Sequence, residues 1–152
     1  MRSDFSVLTG NPARRKLVVV STDPSITAPS PGSAGDPTGG GGFLEVLNPT
    51  TGATDTFALP AANWKGSGIP PGSKGYKYTD RGLTAGPCKT AKIKDGRLDA
   101  RCQGAQISFT LDEPSQGSLG LRRTLGTAAK SKVARVLPAG SSDSRKWRAM
   151  RR

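Results

Sequence analysis

The chain has 152 residues, two cysteines, no histidine and a formal net charge of +12. Without histidine it can build no Ser-His-Asp triad, no Cys-His pair and no imidazole metal site. Leu, Ile, Val and Phe make up only 27 residues and Gly, Pro and Ser 47, values that border on disordered composition and exclude a large core.

Twenty of those 27 apolar residues lie between Leu17 and Leu121. One small domain is therefore expected over residues 15–126, between an N-terminal extension (1–14) and a basic tail (127–152). Lys16 to Ser21 holds four consecutive aliphatics, three of them β-branched, as a strand buried on both faces would. Asp23 to Gly42 follows, with 13 of 20 residues Gly, Pro or Ser. It reads as a loop or linker, too poor in apolar groups to offset its ordering entropy.

Phe43–Leu47 and Asp55–Leu59 bracket the turn formers Asn48 to Gly52 and read as a hairpin. Leu59 to Gly75 is a long irregular connection carrying Trp64, and Gly75-Tyr76-Lys77-Tyr78-Thr79 alternates, placing both tyrosines on one strand face. Lys89 to Cys102 centres on Asp95-Gly96, a dipeptide favoured in type I′ turns. That turn pairs Lys94 with Arg97, Ile93 with Leu98, Lys92 with Asp99, Ala91 with Ala100 and Thr90 with Arg101. All four apolar residues then share a face, which fixes the register. Ile107–Leu111 and Ser118–Leu125 complete seven or eight short strands with no helix between them. The expected fold is an all-β antiparallel sandwich or barrel. In the tail, Ala128 to Leu137 is a passable helical decamer stopped by Pro138, within an otherwise disordered basic end.

Cys88 and Cys102 lie on the two arms of the Asp95-Gly96 hairpin. The type I′ register sets Cys88 opposite Gln103, one residue from a cross-strand disulfide; a bulge next to Pro87 would bring the cysteines together. A disulfide is expected on the ground that paired thiols persist outside the cytosol. The alternative is two ordinary half-buried thiols. Zinc would need four N/S ligands, which two cysteines without histidine do not supply.

Catalytic arrangements fail in turn. Ser-x-x-Lys is absent. Asp112 and Glu113 are neighbours that point apart on a strand and precede Pro114 in a turn. Asp36 with glycines 39–42 lacks the Lys-Ser/Thr ending of a phosphate loop, and Gly66 to Lys74 fails the same test. No enzyme activity, metal or cofactor is expected.

Two binding candidates remain. Trp64, Tyr76 and Tyr78 could stack on sugars or bases, but with 5% aromatic residues a small core needs most of them. Residues 1–120 balance at +3 and residues 121–152 at +9, so the charge points to the tail. There Arg145, Lys146, Trp147, Arg148, Arg151 and Arg152 could hold nucleic acid or another anionic surface.

The order Asp36-Pro37-Thr38, Leu59-Pro60-Ala61-Ala62-Asn63-Trp64, Lys74-Gly75-Tyr76-Lys77-Tyr78-Thr79-Asp80 and Gly86-Pro87-Cys88 resembles an uncharacterised β-rich domain of bacterial secreted or surface proteins. The resemblance covers about Arg15 to Leu125. It implies export and no known catalytic role; the partner is left open, with other surface proteins or glycans as candidates. No membrane span is present, and the start lacks the apolar segment of a signal peptide. The expectation is a non-catalytic structural or interaction module of the cell envelope or exterior, as a fragment of a longer chain or cytoplasmic if its start is authentic. The alternative is a nucleic-acid-binding protein acting through its tail.

Overall fold

The computed structural model describes residues 2–7, 12–47, 52, 54–108, 120–130 and 146–149. In chain order the strands are β1 (Arg2–Val7), β2 (Lys16–Thr22), β3 (Gly42–Leu47), β4 (Thr54–Leu59), β5 (Trp64–Gly66), β6 (Tyr76–Thr79), β7 (Cys88–Lys94), β8 (Arg97–Gln103), β9 (Gly120–Leu125), β10 (Ala128–Lys130) and β11 (Lys146–Ala149). They form a seven-stranded sheet, β11-β1-β2-β8-β7-β6-β5, and a four-stranded sheet, β10-β9-β3-β4. Every pairing is antiparallel. The all-β antiparallel class expected from the sequence is thus observed, as two open sheets.

The alternation of side chains decides what each strand buries. In β2, Leu17 and Val19 are buried while Val18 and Val20 are only half-buried, so burial on both faces, expected from the aliphatic run, holds on one. Leu17, Val19, Tyr78, Ile93 and Ala100 from the larger sheet join Leu44, Val46, Phe57 and Leu121 from the smaller in one cluster. The two sheets therefore share a single core.

The β7–β8 hairpin has the register its polar pattern demands, with Lys94 opposite Arg97, Ile93 opposite Leu98, Ala91 opposite Ala100 and Thr90 opposite Arg101. A register shift between Cys88 and Thr90 sets Cys88 opposite Cys102, and their Sγ atoms lie 2.01 Å apart in a disulfide. The turn conformation differs from expectation. Gly96 takes a φ of 74° but Asp95 has no positive φ, so the type I′ geometry, which needs both, is not formed. The reason lies in the preceding loop. The Asp95 carboxylate accepts from the Ala28 amide at 2.8 Å, the Gly96 amide donates to the Ile26 carbonyl at 2.8 Å, and the Asp23 amide donates to the Gly96 carbonyl at 3.0 Å.

That loop is no free linker. Ile26 is buried, and Asp36 caps the short helix Pro37–Gly40 while also accepting from the Gly32 amide at 2.8 Å. The connection from β5 to β6 is equally well held. The Gly72 and Lys74 amides both donate to the Ser67 carbonyl, at 3.0 and 2.9 Å. Gly72 has a φ of 99°, and a Cβ there would meet the Tyr76 hydroxyl at 2.5 Å, so only glycine fits.

The ends depart from the expected extension and tail. Arg2–Val7 is a strand paired with β2, β10 pairs with β9 where a helix was expected to begin, and β11 pairs with β1. The open edges of β2 and β9 offer unpaired backbone groups, and added strands satisfy them. Ile107 and Ser108 are not in a strand; the rest of that expected strand, and residues 131–137 of the decamer, lie outside the described residues.

Candidate functional site

The aromatic candidates form no surface. Trp64, Tyr76 and Tyr78 are 5%, 1% and 0% exposed, all on the core side of β5 and β6. The Trp64 indole donates to the Leu59 carbonyl at 3.0 Å and meets Tyr78 edge-on, with ring centroids 5.5 Å apart. Asn63 donates to the Tyr78 hydroxyl at 3.3 Å. Burial pushes the Tyr78 phenol above its ordinary value, and the nearby Asp80 charge adds to this. Burial and the Asp36 charge raise Tyr76 likewise. Core packing, which the scarcity of aromatic residues favours, is what the three rings do, and this removes them as a binding surface.

A charged surface lies on the opposite side of the same strands. Because side chains alternate, burying Trp64, Tyr76, Tyr78, Ala91 and Ile93 turns Lys65, Lys77 and Lys92 outward, and all three are exposed. Register aligns them: Lys65 stands opposite Lys77, and Lys77 opposite Lys92. Strand spacing of about 4.8 Å makes this a row of three ammonium groups across β5, β6 and β7. Like charges directly opposite one another destabilise a sheet. The row continues to Asp99, but Arg97 grips that carboxylate bidentately, at 2.7 and 3.0 Å. Among the described residues, no carboxylate lies within ion-pairing distance of the three lysines.

A second cationic group sits beside the row. An open depression of about 460 Å³ is lined by Lys16, Val18, Lys89, Thr90, Arg101, Cys102 and Gln103. Its outer-face positions follow from the register, in which Arg101 lies between Val18 and Thr90.

The +3 balance of the first 120 residues conceals this segregation, because several of the described carboxylates are engaged in turns or on the smaller sheet. Asp36 and Asp80 hold turns: Asp36 binds Thr38 through its amide at 2.9 Å and its hydroxyl at 2.6 Å, and Asp80 accepts from the Ala85 amide at 2.8 Å and the Thr84 amide at 3.1 Å. Glu45 pairs with Arg122 at 3.3 Å on the smaller sheet, and Asp55 accepts from Ser108. The signal was present in the sequence as lysines at alternate strand positions. Counting charge by segment rather than by face missed it.

Of the tail candidates, Lys146, Trp147 and Arg148 belong to β11, where Lys146 pairs with Ser6 and Arg148 with Asp4. Arg145, Arg151 and Arg152 lie outside the described residues. Among the described residues no cluster of three or more His, Cys, Asp or Glu could hold a metal ion, and no helix is long and apolar enough to cross a membrane. Comparison with known protein families, curated proteins and solved structures gives no match.

Proposed function

We propose that the protein is a non-catalytic interaction module, working outside the reducing cytosol, that holds an anionic polymer on the outer face of its seven-stranded sheet. The observation that carries this reading is the Lys65–Lys77–Lys92 row. A sheet that sets like charges side by side gives up stability which a bound anion restores. The Cys88–Cys102 disulfide supports a location outside the cytosol, and the resemblance to a β-rich surface-protein domain supports the same. The favoured polymer is an acidic glycan. What favours it is the place outside the cytosol that the disulfide supports; with Trp64, Tyr76 and Tyr78 buried, those rings stack on neither sugars nor bases, and charge carries the binding.

The test measures binding to heparin across a salt series for the wild type and a Lys65→Gln/Lys77→Gln/Lys92→Gln variant. The variant's dependence of log Kd on log salt becomes shallower by roughly one unit per lysine removed. An unchanged slope rejects the row as the binding face.

A second reading, nucleic acid held through residues 122–152, is favoured by one observation: β11 adds Lys146 and Arg148 to the same sheet. Removing residues 131–152 then abolishes binding to duplex DNA and its salt dependence while the domain stays folded.

A further inference from the structure

The bulge in β7 does more than align two cysteines. Without it, Cys88 and Thr90 would share a face and Lys89 would stand alone on the other. The register shift between Cys88 and Thr90 instead lets Cys88 stay buried while Lys89 and Thr90, though consecutive, both line the outer depression. Lys16 at the start of β2, Arg101 on β8 and Gln103, which stands opposite Lys16, line its other side. Lys16, Lys89 and Arg101 are exposed. None has a carboxylate within ion-pairing distance among the described residues, since the Arg97–Asp99 and Arg122–Glu45 pairs lie elsewhere. The Cys88–Cys102 rung beneath keeps β7 and β8 from shifting, which holds Lys89 and Arg101 in fixed relation. Bulges re-aim side chains beside functional sites, and here the re-aimed side chain is a cation.

We propose that this depression is a subsite for one tetrahedral oxyanion group, a phosphate or a sulfate ester carried by the polymer. The inference rests on the proposed function and deepens it: the lysine row supplies unspecific attraction, and the depression recognises the anionic group. Three cations from three strands, a threonine hydroxyl and a glutamine amide provide more donors than a carboxylate's two oxygens can use. They match the oxygens of a tetrahedral anion.

The test is an NMR titration of backbone amides, at low ionic strength, with inorganic phosphate, inorganic sulfate and acetate in separate arms. Saturable shifts at Lys16, Thr90, Arg101 and Gln103 are expected with phosphate or sulfate, whichever is tighter naming the ester, and weaker ones with acetate. Arg101→Gln and Lys89→Gln each weaken that binding about tenfold, while Lys74→Gln, at an exposed position in the β5–β6 connection outside both the row and the depression, leaves it unchanged. Both substituted side chains are exposed, and the dispersion of the variants' amide spectra confirms that they fold. Shifts spread along the lysine row, acetate binding as tightly as phosphate, or indifference to Arg101→Gln would overturn the subsite. Heparin binding by the wild type and its loss in the row variant are read separately, so the subsite can fail while the binding face stands.

Discussion

Lys77 on β6 stands between Lys65 and Lys92, directly opposite both, and no described carboxylate forms an ion pair with any of the three. Removing the central charge therefore relieves two repulsions at once. Lys77→Gln should stabilise the protein by about 0.2–1 kcal/mol at low salt. The gain should fade at high salt, where exposed charges are screened over about 3 Å. Urea denaturation of both proteins at the two ionic strengths checks this. The same substitution weakens heparin binding, so stability and affinity move in opposite directions, as they do when a strained surface exists for a ligand.

On the core side of the same strands, Trp64 is held by its indole N–H as well as by packing. Trp64→Phe keeps an aromatic ring but leaves the Leu59 carbonyl without its partner. A buried acceptor left unmade costs about 1–3 kcal/mol. Tyr78→Phe should cost less, under about 1 kcal/mol, because the bond it removes is a long one of 3.3 Å from Asn63. Urea midpoints followed by circular dichroism rank the two. A Tyr78→Phe loss as large as that of Trp64→Phe would show that the hydroxyl matters more than its geometry implies.

The parts of this fold legible in the sequence are those where one local rule had no competitor. In β7–β8, alternation of Ala91, Ile93, Leu98 and Ala100 with charged residues left a single register, and the cysteine mismatch of one residue required the bulge that the structure contains. Asp95 did not follow its local preference because Ala28 and Ile26, far away in sequence, bond to the turn. Such contacts leave no local trace. Nor does the pairing of β5 with β6 across a connection of nine residues, 67–75, and it is this pairing that lines up Lys65 with Lys77. The lysine row therefore needed topology, whereas the burial of Trp64, Tyr76 and Tyr78 followed from composition alone.

The disulfide closes a loop between residues separated by 14 positions, which by chain entropy is worth about 3 kcal/mol. A Cys88→Ala/Cys102→Ala variant should lose about that much in urea, with a denaturant slope equal to or above the wild type's, because the uncrosslinked unfolded chain is less compact. A loss below about 1 kcal/mol would mean that the bulge and the tethered turn already constrain the unfolded hairpin, and the stapling role would be withdrawn. Because the rung also fixes Lys89 against Arg101, the variant should bind phosphate more weakly even under conditions where it is fully folded.

Acid should expose the turn carboxylates. Asp80 is held below its ordinary value of 3.8 chiefly by the Ala85 amide, with the Thr84 amide and hydroxyl also donating to it. Asp36 is pushed up by burial, but the Thr38 hydroxyl and the Gly32 and Thr38 amides outweigh this and hold it below 3.8 as well. In both cases the folded state takes up the proton less readily than the unfolded chain. The stability these groups contribute is fully present above the unfolded value and is lost as pH falls through the lower folded one. Urea midpoints should therefore hold steady down to about pH 5 and decline toward about pH 2. Asp80→Asn, which cannot carry the charge, should start less stable at neutral pH and decline less on acidification. An equal decline in the variant would place the acid sensitivity in other carboxylates and leave Asp80 as a hydrogen-bonding group whose charge is immaterial to the fold.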